Sequence, residues 1–233
     1  MVEEIRDRLA RVRERIERAA RRAGRQPDDI SLIAVSKTID PATIQEAVDA
    51  GIRDLGENRV QEGAGKIPQV KGEGLRWHLI GHLQSNKARL AVRSFQEIQT
   101  VDSTALASRL DRVAGEESRH LPVLIQVRLA DESTKSGAYE TELPEIVETL
   151  ERAGHLGLRG LMTIPPFFDS PEDTRPYFRR LRETLDKLNA NRGPGRKLTE
   201  LSMGMSHDFE VAVEEGATMV RVGTAIFGER NKV

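Results

Sequence analysis

The chain has 233 residues, of which 38% are hydrophobic and 31% are charged, and its formal net charge is -1. This length fits one large domain or two small ones, and the near-neutral charge gives no overall attraction to nucleic acid or to anionic membranes. The absence of cysteine excludes a disulfide scaffold, thiol catalysis and thiolate metal sites. No apolar run approaches the roughly 18 residues of a membrane span, so we expect a soluble cytoplasmic protein.

Residues 1–25 predict a helix, because apolar residues recur there at alternating intervals of four and three. These residues are Ile5, Leu9, Val12, Ile16, Ala19 and Ala23. Nine arginines lie between them, together with several acidic residues. We favour an amphipathic helix packed on the outside of the fold, and a nucleic-acid-binding helix stays open as an alternative.

Beyond this helix, strand-like and helix-like stretches alternate. The predicted strands are 30–36, 52–55, 77–80, 97–100, 122–127, 158–163, 197–202 and 219–222. The predicted helices between and after them are 43–50, 59–69, 86–93, 104–113, 143–152, 172–189 and 209–215. Eight strands close a (β/α)8 barrel, whereas an open doubly wound sheet more often has about five or six. Residues 1–233 are therefore predicted to form a single TIM-barrel domain of the α/β class with an extra N-terminal helix.

Lys37 directly follows the first predicted strand, which is apolar at nearly every position. In parallel α/β folds, the loops after the strands hold ligands and catalytic groups. Lys37 is therefore the first candidate for a functional side chain, although a solvated loop lysine would give the same local pattern.

The loops after the seventh and eighth predicted strands, 201–208 and 221–228, carry groups that suit a phosphate. In the first loop, Ser206 or Asp208 can cap the following helix, whose first N–H groups can receive an anion. In the second, a glycine, Gly223, lets the backbone approach closely and Thr224 offers a hydroxyl. Barrels often hold phosphate in these two loops, so we predict a phosphate site there.

A lysine that faces a phosphate site suggests pyridoxal 5'-phosphate held as a Schiff base. Lysine has a reference pKa of about 10.4, and a nearby cation such as Arg221 would help to free its amine for attack. A guanidinium at the pyridine nitrogen can only donate, so the ring nitrogen stays unprotonated and the cofactor becomes a weaker electron sink.

Six ordered motifs resemble those of the pyridoxal phosphate homeostasis protein family, also called the YggS or PROSC family. They are AVSKT at 34–38, GENRVQE at 56–62, WHLIGHLQSNK at 77–87, GLMTIP at 160–165, LSMGMS at 201–206 and RVGT at 221–224. The resemblance implies a fold-type III barrel like the N-terminal domain of alanine racemase, with the cofactor attached to Lys37. It implies further cofactor contacts from Asn58, from the backbone near Met205, from Ser206, Gly223 and Thr224, and from Arg221 at the pyridine nitrogen.

Members of this family are regarded as carriers or regulators of vitamin B6 without an established catalytic reaction. The resemblance therefore implies a non-enzymatic role in pyridoxal phosphate homeostasis, with apo forms of pyridoxal phosphate enzymes as possible partners and a monomeric state. Ile39 departs from the family pattern, because many relatives have a second lysine there. Lys135 could offer a distant second amine, although we prefer a mobile polar loop at this position.

Two other functions stay open. An amino-acid racemase or lyase would need a second acid or base on the opposite face of the cofactor, and no residues remain here for the β-domain that supplies it in alanine racemase. A nucleic-acid-binding barrel would use the arginine-rich first helix. His78 and His82 are four residues apart, but they run from a strand into a loop, so we expect structural histidines and no metal site.

Overall fold

Eight parallel strands close into a barrel in the computed structural model of the chain, which describes residues 2–130 and 136–229. The strands are β1 (Ser31–Val35), β2 (Asp54–Glu57), β3 (Arg76–Leu79), β4 (Glu97–Val101), β5 (Leu121–Gln126), β6 (Leu156–Met162), β7 (Glu200–Met205) and β8 (Met219–Val222). Each strand pairs with the next along the chain, and β8 returns to pair with β1. The predicted fold class is confirmed.

Helices lie between the strands and at both ends of the described chain. They are α1 (Val2–Arg22), α2 (Pro41–Asp49), α3 (Val60–Lys66), α4 (Ala88–Ser94), α5 (Thr104–Glu116), α6 (Leu143–Glu151), α7 (Arg175–Asn189), α8 (Phe209–Glu214) and α9 (Thr224–Phe227). The apolar residues of these helices pack against the outward side chains of the barrel in one continuous core. Within the described ranges, no helix is long and apolar enough to cross a membrane.

Two strands are displaced from the predicted boundaries by two or three residues at both ends. The second predicted strand, 52–55, lies two residues before β2 (Asp54–Glu57), because the polar residue Glu57 is fully buried and paired instead of exposed. The seventh predicted strand, 197–202, lies three residues before β7 (Glu200–Met205). Gly204 interrupts the apolar strand pattern of the sequence at this point, and its φ of 90° is a conformation that favours glycine. This shift brings the polar loop that begins at Ser206 directly after a strand.

The extra N-terminal helix α1 covers the outside of the barrel next to α8 and α9. Its apolar stripe is buried, including Leu9 and Ile16. Arginines on its flanks pair with acidic residues of α8, since Arg15 contacts Glu210 at 2.8 Å and Arg22 contacts Glu214 at 2.8 Å. Charges that are already paired in this way suit a packing helix better than an open nucleic-acid surface.

Candidate cofactor-binding site

A cavity of about 440 Å³ opens at the mouth of the barrel, beyond the carboxyl ends of the strands. All seven residues that the sequence suggested as cofactor contacts line this cavity. They are Lys37, Asn58, Met205, Ser206, Arg221, Gly223 and Thr224. Four residues that the sequence did not single out complete the lining, namely Val35, Ile80, Ile164 and His207. Residues separated by almost the whole length of the chain therefore meet in one place.

Strand direction explains why Lys37 lines the cavity. Side chains alternate across a strand, and Ile33 and Val35 of β1 are buried, with Val35 lining the cavity floor. Lys37 continues this inward-facing series one step beyond the strand. Ser36, between them, points the other way and is fully buried in the layer between sheet and helices. The lysine is half-buried, which keeps its apolar stem against the barrel while its amine reaches the cavity.

A polar cup forms where the loops after β7 and β8 meet. The Gly223 N–H donates to Ser206 Oγ at 3.1 Å, which ties the two loops together. Because a hydroxyl both accepts and donates, Ser206 keeps its own proton for an anion in the cup. The exposed residue Thr224 adds a second hydroxyl at the rim. The cup thus offers hydrogen-bond donors to a phosphate group.

The loop before α8 differs from the expected capping arrangement. Neither Ser206 nor Asp208 caps α8 through its side chain. Instead, Asp208 Oδ1 accepts the Met205 N–H at 2.6 Å, so that amide already has an acceptor inside the loop. Burial raises the pKa of the Asp208 carboxyl above its ordinary value, although the Met205 amide and the charge of Arg221 oppose the shift.

Arg221 is a buried cation at the floor of the cavity, with only 3% of its surface exposed. Its Nη1 donates to Ser202 Oγ at 2.7 Å and its Nη2 donates to the Thr163 carbonyl at 2.8 Å. These two bonds fix the plane of the guanidinium. Burial lowers the pKa of Arg221 to about 10, against the raising influence of Asp208, so the group remains protonated at neutral pH.

A chain of hydrogen bonds runs from Arg221 through the barrel interior. Ser202 Oγ donates to Gln99 Oε1 at 2.7 Å, and Gln99 Nε2 donates to Glu97 Oε1 at 2.7 Å. His78 Nδ1 lies 3.1 Å from the same Glu97 oxygen. The bonds from the guanidinium to the carboxylate all point in one direction, so the carboxylate stabilises the distant cation through polarised groups.

His78 ends this chain between two carboxylates. Its Nε2 lies 2.7 Å from Asp54 Oδ1, and its Nδ1 faces Glu97. Burial by itself lowers the pKa of His78, but the hydrogen bonds and charges of Asp54 and Glu97 outweigh it and raise the pKa to about 9. His82 lies apart from this group and faces Asp102 at 3.5 Å. In the described part of the chain, no group of three or more histidine and acidic side chains is arranged to hold a metal ion.

Asn58 reaches the cavity because the loops after β2 and β3 approach each other very closely. A side chain at Gly81 would place its Cβ 2.1 Å from the Asn58 carbonyl oxygen, which no arrangement tolerates. At Gly56, a Cβ would lie 2.9 Å from both Ile33 and Ile80, inside the barrel. Two glycines of the sequence motifs are therefore required by packing around the cavity.

The donor set of the cavity fits pyridoxal 5'-phosphate. The cavity volume lies in the range of about 300–1,000 Å³ that is usual for small-ligand sites. Lys37 supplies an amine, the cup supplies donors for a phosphate, and Arg221 supplies a donor for a ring nitrogen. Apolar side chains between these polar groups, among them Val35 and Ile164, suit the faces of an aromatic ring.

Sequence reasoning missed the apolar lining and the partners of Arg221. Val35 is the last residue of β1, and Ile80 directly follows β3. The alternation of side chains along these strands is the signal that could have identified both as inward-facing. His207 directly follows Ser206, and its ring lies 5.3 Å from that of the exposed residue Phe167. Lys135, the suggested second amine, lies outside the described residues.

The fold and the site define a single-barrel protein with a lysine after the first strand and a polar cup after the last two. Residues 8–231 match the model of the alanine racemase N-terminal domain family. The chain is 45% identical over 224 residues to the pyridoxal phosphate homeostasis protein of Aquifex aeolicus, covering 96% of this chain and 97% of that protein. It belongs to the family of pyridoxal phosphate homeostasis proteins.

Solved structures agree with this assignment. PipY of Synechococcus elongatus PCC7942, with pyridoxal phosphate bound, is 42% identical and superimposes with a TM-score of 0.83, covering 96% of this chain and 100% of PipY. Alanine racemase of Clostridium difficile shares the fold with a TM-score of 0.73 at 17% identity. The match covers 99% of this chain but only 60% of the racemase. At that identity, the similarity concerns the barrel alone.

Proposed function

We propose that the chain binds pyridoxal 5'-phosphate in the mouth cavity and acts in the homeostasis of this cofactor, as a carrier or regulator. The observation that carries the proposal is that Lys37, the polar cup and the buried Arg221 line one cavity. The name of the Aquifex aeolicus relative and the pyridoxal phosphate bound to PipY support it.

When bound, pyridoxal phosphate supplies a phosphate dianion and an aldehyde with which an uncharged amine condenses, with loss of water. Lys37 would provide that amine. Ser206, Gly223 and Thr224 would hold the phosphate through hydroxyl and backbone donors, and Asn58 would contact the cofactor from the loop after β2. Cup and lysine together make the attachment specific, because the cup holds the phosphate while the amine reacts.

Arg221 favours binding of the cofactor without catalysis. A protonated guanidinium can only donate, so the ring nitrogen that faces it stays unprotonated and withdraws fewer electrons. The bonds from Arg221 to Ser202 and Thr163 keep it in that role. We therefore propose that this chain is not a racemase or lyase.

Binding at Lys37 is tested by reduction. Pyridoxal phosphate is added to the protein, borohydride is added, and the modified peptide is identified by mass spectrometry. We expect a pyridoxyl group on Lys37, and loss of the modification in Lys37→Ala but not in the control variant Lys71→Ala, which changes an exposed lysine. A protein that shows no absorbance change with pyridoxal phosphate and no modified peptide would refute the proposal.

The absence of catalysis is tested by incubating the loaded protein with amino acids in deuterated water. We expect no exchange at the α-carbon, and measurable exchange would support the racemase or lyase alternative.

The carrier role is tested by transfer to an apoenzyme in the presence of a trap for free pyridoxal phosphate. Activation that survives the trap supports direct transfer, whereas complete interception leaves storage or sensing. The monomeric state and the cytoplasmic location stay predictions, which light scattering and cell fractionation measure.

A further inference from the structure

A buried polar cluster lies behind the loop that carries Lys37. At its centre is Lys66, the last residue of α3, with 9% of its surface exposed. Its Nζ donates to the Ser36 carbonyl at 2.8 Å, to Glu57 Oε1 at 3.0 Å and to Glu62 Oε1 at 2.6 Å. An ammonium group has three N–H donors, and this geometry gives each of them an acceptor.

The cluster holds the residues on both sides of Lys37. On one side, Ser36 Oγ donates to Glu57 Oε1 at 2.7 Å, while the Ser36 carbonyl accepts from Lys66. On the other side, the Thr38 N–H donates to Glu62 Oε1 at 2.5 Å. Lys37 therefore stands between two anchored neighbours.

Thr38 needs such an anchor. Its φ is 64°, in the left-handed region that a β-branched residue adopts only when its surroundings enforce it. The bond from its N–H to Glu62 helps to hold this conformation, together with the turn bond from the Ile39 N–H to the Ser36 carbonyl at 3.0 Å. A relaxed Thr38 would turn the chain directly after Lys37 and displace the amine from the cavity.

Stability is a poor explanation for this cluster. Glu57 is fully buried, and its Oε2 has no hydrogen-bond partner in the described part of the chain. Burial raises the pKa of Glu57 despite the bonds from Ser36 and Lys66. Apolar residues of similar size often replace a buried ion pair without loss of stability. What apolar residues cannot do is fix the backbone on both sides of Lys37.

We propose that Glu57, Glu62 and Lys66 form a brace that positions Lys37 for reaction with an aldehyde, a role that rests on the proposed function. The three are positioning residues, since they contact Ser36 and Thr38 and not the cavity. The lysine of the GAGK segment at 63–66 is therefore part of the brace. The segment lacks the spacing of a nucleotide phosphate loop.

The test compares two ligands that differ in one group. Pyridoxal 5'-phosphate needs both the cup and the Lys37 amine, whereas pyridoxine 5'-phosphate carries an alcohol in place of the aldehyde and needs only the cup and the ring contacts. The variants are Lys66→Met, which keeps the unbranched stem, and Glu62→Ala. Glu62 has 22% of its side chain exposed, so this second variant folds even where the first does not.

We expect both variants to lower the rate of borohydride trapping at Lys37 by about tenfold to a hundredfold, because misplacing a reacting atom by about 1 Å can cost about 100-fold. Affinity for pyridoxine 5'-phosphate should stay within about twofold of the wild type, because the cup is untouched. Amide hydrogen exchange of 36–39 should become faster in the variants.

Val60→Ala is the matched control. Val60 is buried in the same helix, at 4% exposure, and takes no part in the hydrogen bonds of the brace. This control loosens α3, and it should leave the ratio of the two ligand readouts unchanged. Equal losses for both ligands in Lys66→Met and Glu62→Ala, or no loss for either, would overturn the brace. Failure of the wild type to bind either ligand would instead overturn the proposed function.

Discussion

Raising the pH should destabilise the folded protein through a single buried side chain, His78. The imidazole is 2% exposed and lies between Asp54 and Glu97, which raise its pKa to about 9 against the opposing effect of burial. In the unfolded chain, histidine titrates near 6.5. Between these two values the folded state holds a proton that the unfolded state has lost, so the free energy of unfolding falls as the pH rises.

The size of the effect follows from the two pKa values. Stability from this group is fully present below about pH 6.5 and is lost as the pH rises to about 9, at about 1.4 kcal/mol per pH unit, or about 3 kcal/mol in all. Urea unfolding at several pH values measures it, with far-UV circular dichroism and the fluorescence of Trp77, the one tryptophan in the sequence.

The variant His78→Gln isolates the contribution of His78, because glutamine keeps hydrogen-bonding groups without titrating. We expect the variant to be less stable than the wild type at about pH 6 and the difference to shrink by about 3 kcal/mol by about pH 9.5. Other groups that titrate in this window affect both proteins alike. Parallel curves for the two proteins would show that His78 is not held as a cation, and the reasoning on the interior charges would fail with it.

Two further substitutions test the site. Ser202→Ala removes the hydroxyl that accepts from Arg221 at 2.7 Å, and we expect a loss of about 2–4 kcal/mol in urea unfolding, compared with a small change for Ser31→Ala at the start of β1. Gly204→Ala places a Cβ 2.9 Å from the Phe209 Cα in a residue with a φ of 90°. We expect a loss of at least about 1–3 kcal/mol in thermal unfolding together with weaker binding of pyridoxal phosphate, and an unchanged melting temperature would contradict this packing.

The barrel could be predicted from the sequence because most of its strands are recognisable from their composition. The first six predicted strands and the eighth start and end within about two residues of the observed ones, which is the usual uncertainty of a boundary. The length of an apolar run is enough to identify such a strand, without knowledge of the strands beside it. Glu57 shows where that fails, since the end of β2 is polar and its partner Lys66 belongs to a different element.

The residues of the candidate site were predictable from position and from resemblance together. Lys37 follows a strand, and Ser206 and Gly223 follow two others, so barrel geometry alone brings them to one mouth. Their individual roles toward a cofactor stay predictions. The expected capping by Asp208 was wrong, because its carboxylate accepts the Met205 amide within the loop and leaves α8 without a side-chain cap.

The polar interior could not be predicted, because its hydrogen bonds join residues far apart in the chain. Gln99 and Ser202 are 103 residues apart and meet only after the barrel has closed with one particular register. A pattern of alternation identifies inward positions, but it does not say which inward polar groups will face each other.

A buried cation at the mouth explains why this interior is polar at all. Arg221 lies at 3% exposure, and an unpaired charge at such depth would be prohibitively costly. Direct contact with a carboxylate would compensate the charge of the guanidinium, but it would also occupy the donors that face the cavity. The barrel instead places Glu97 and Asp54 at the amino ends of β4 and β2, with His78 between them, and links Glu97 to Arg221 through Gln99 and Ser202. The carboxylates thereby compensate the charge of Arg221 from a distance, and the guanidinium stays available at the cavity floor.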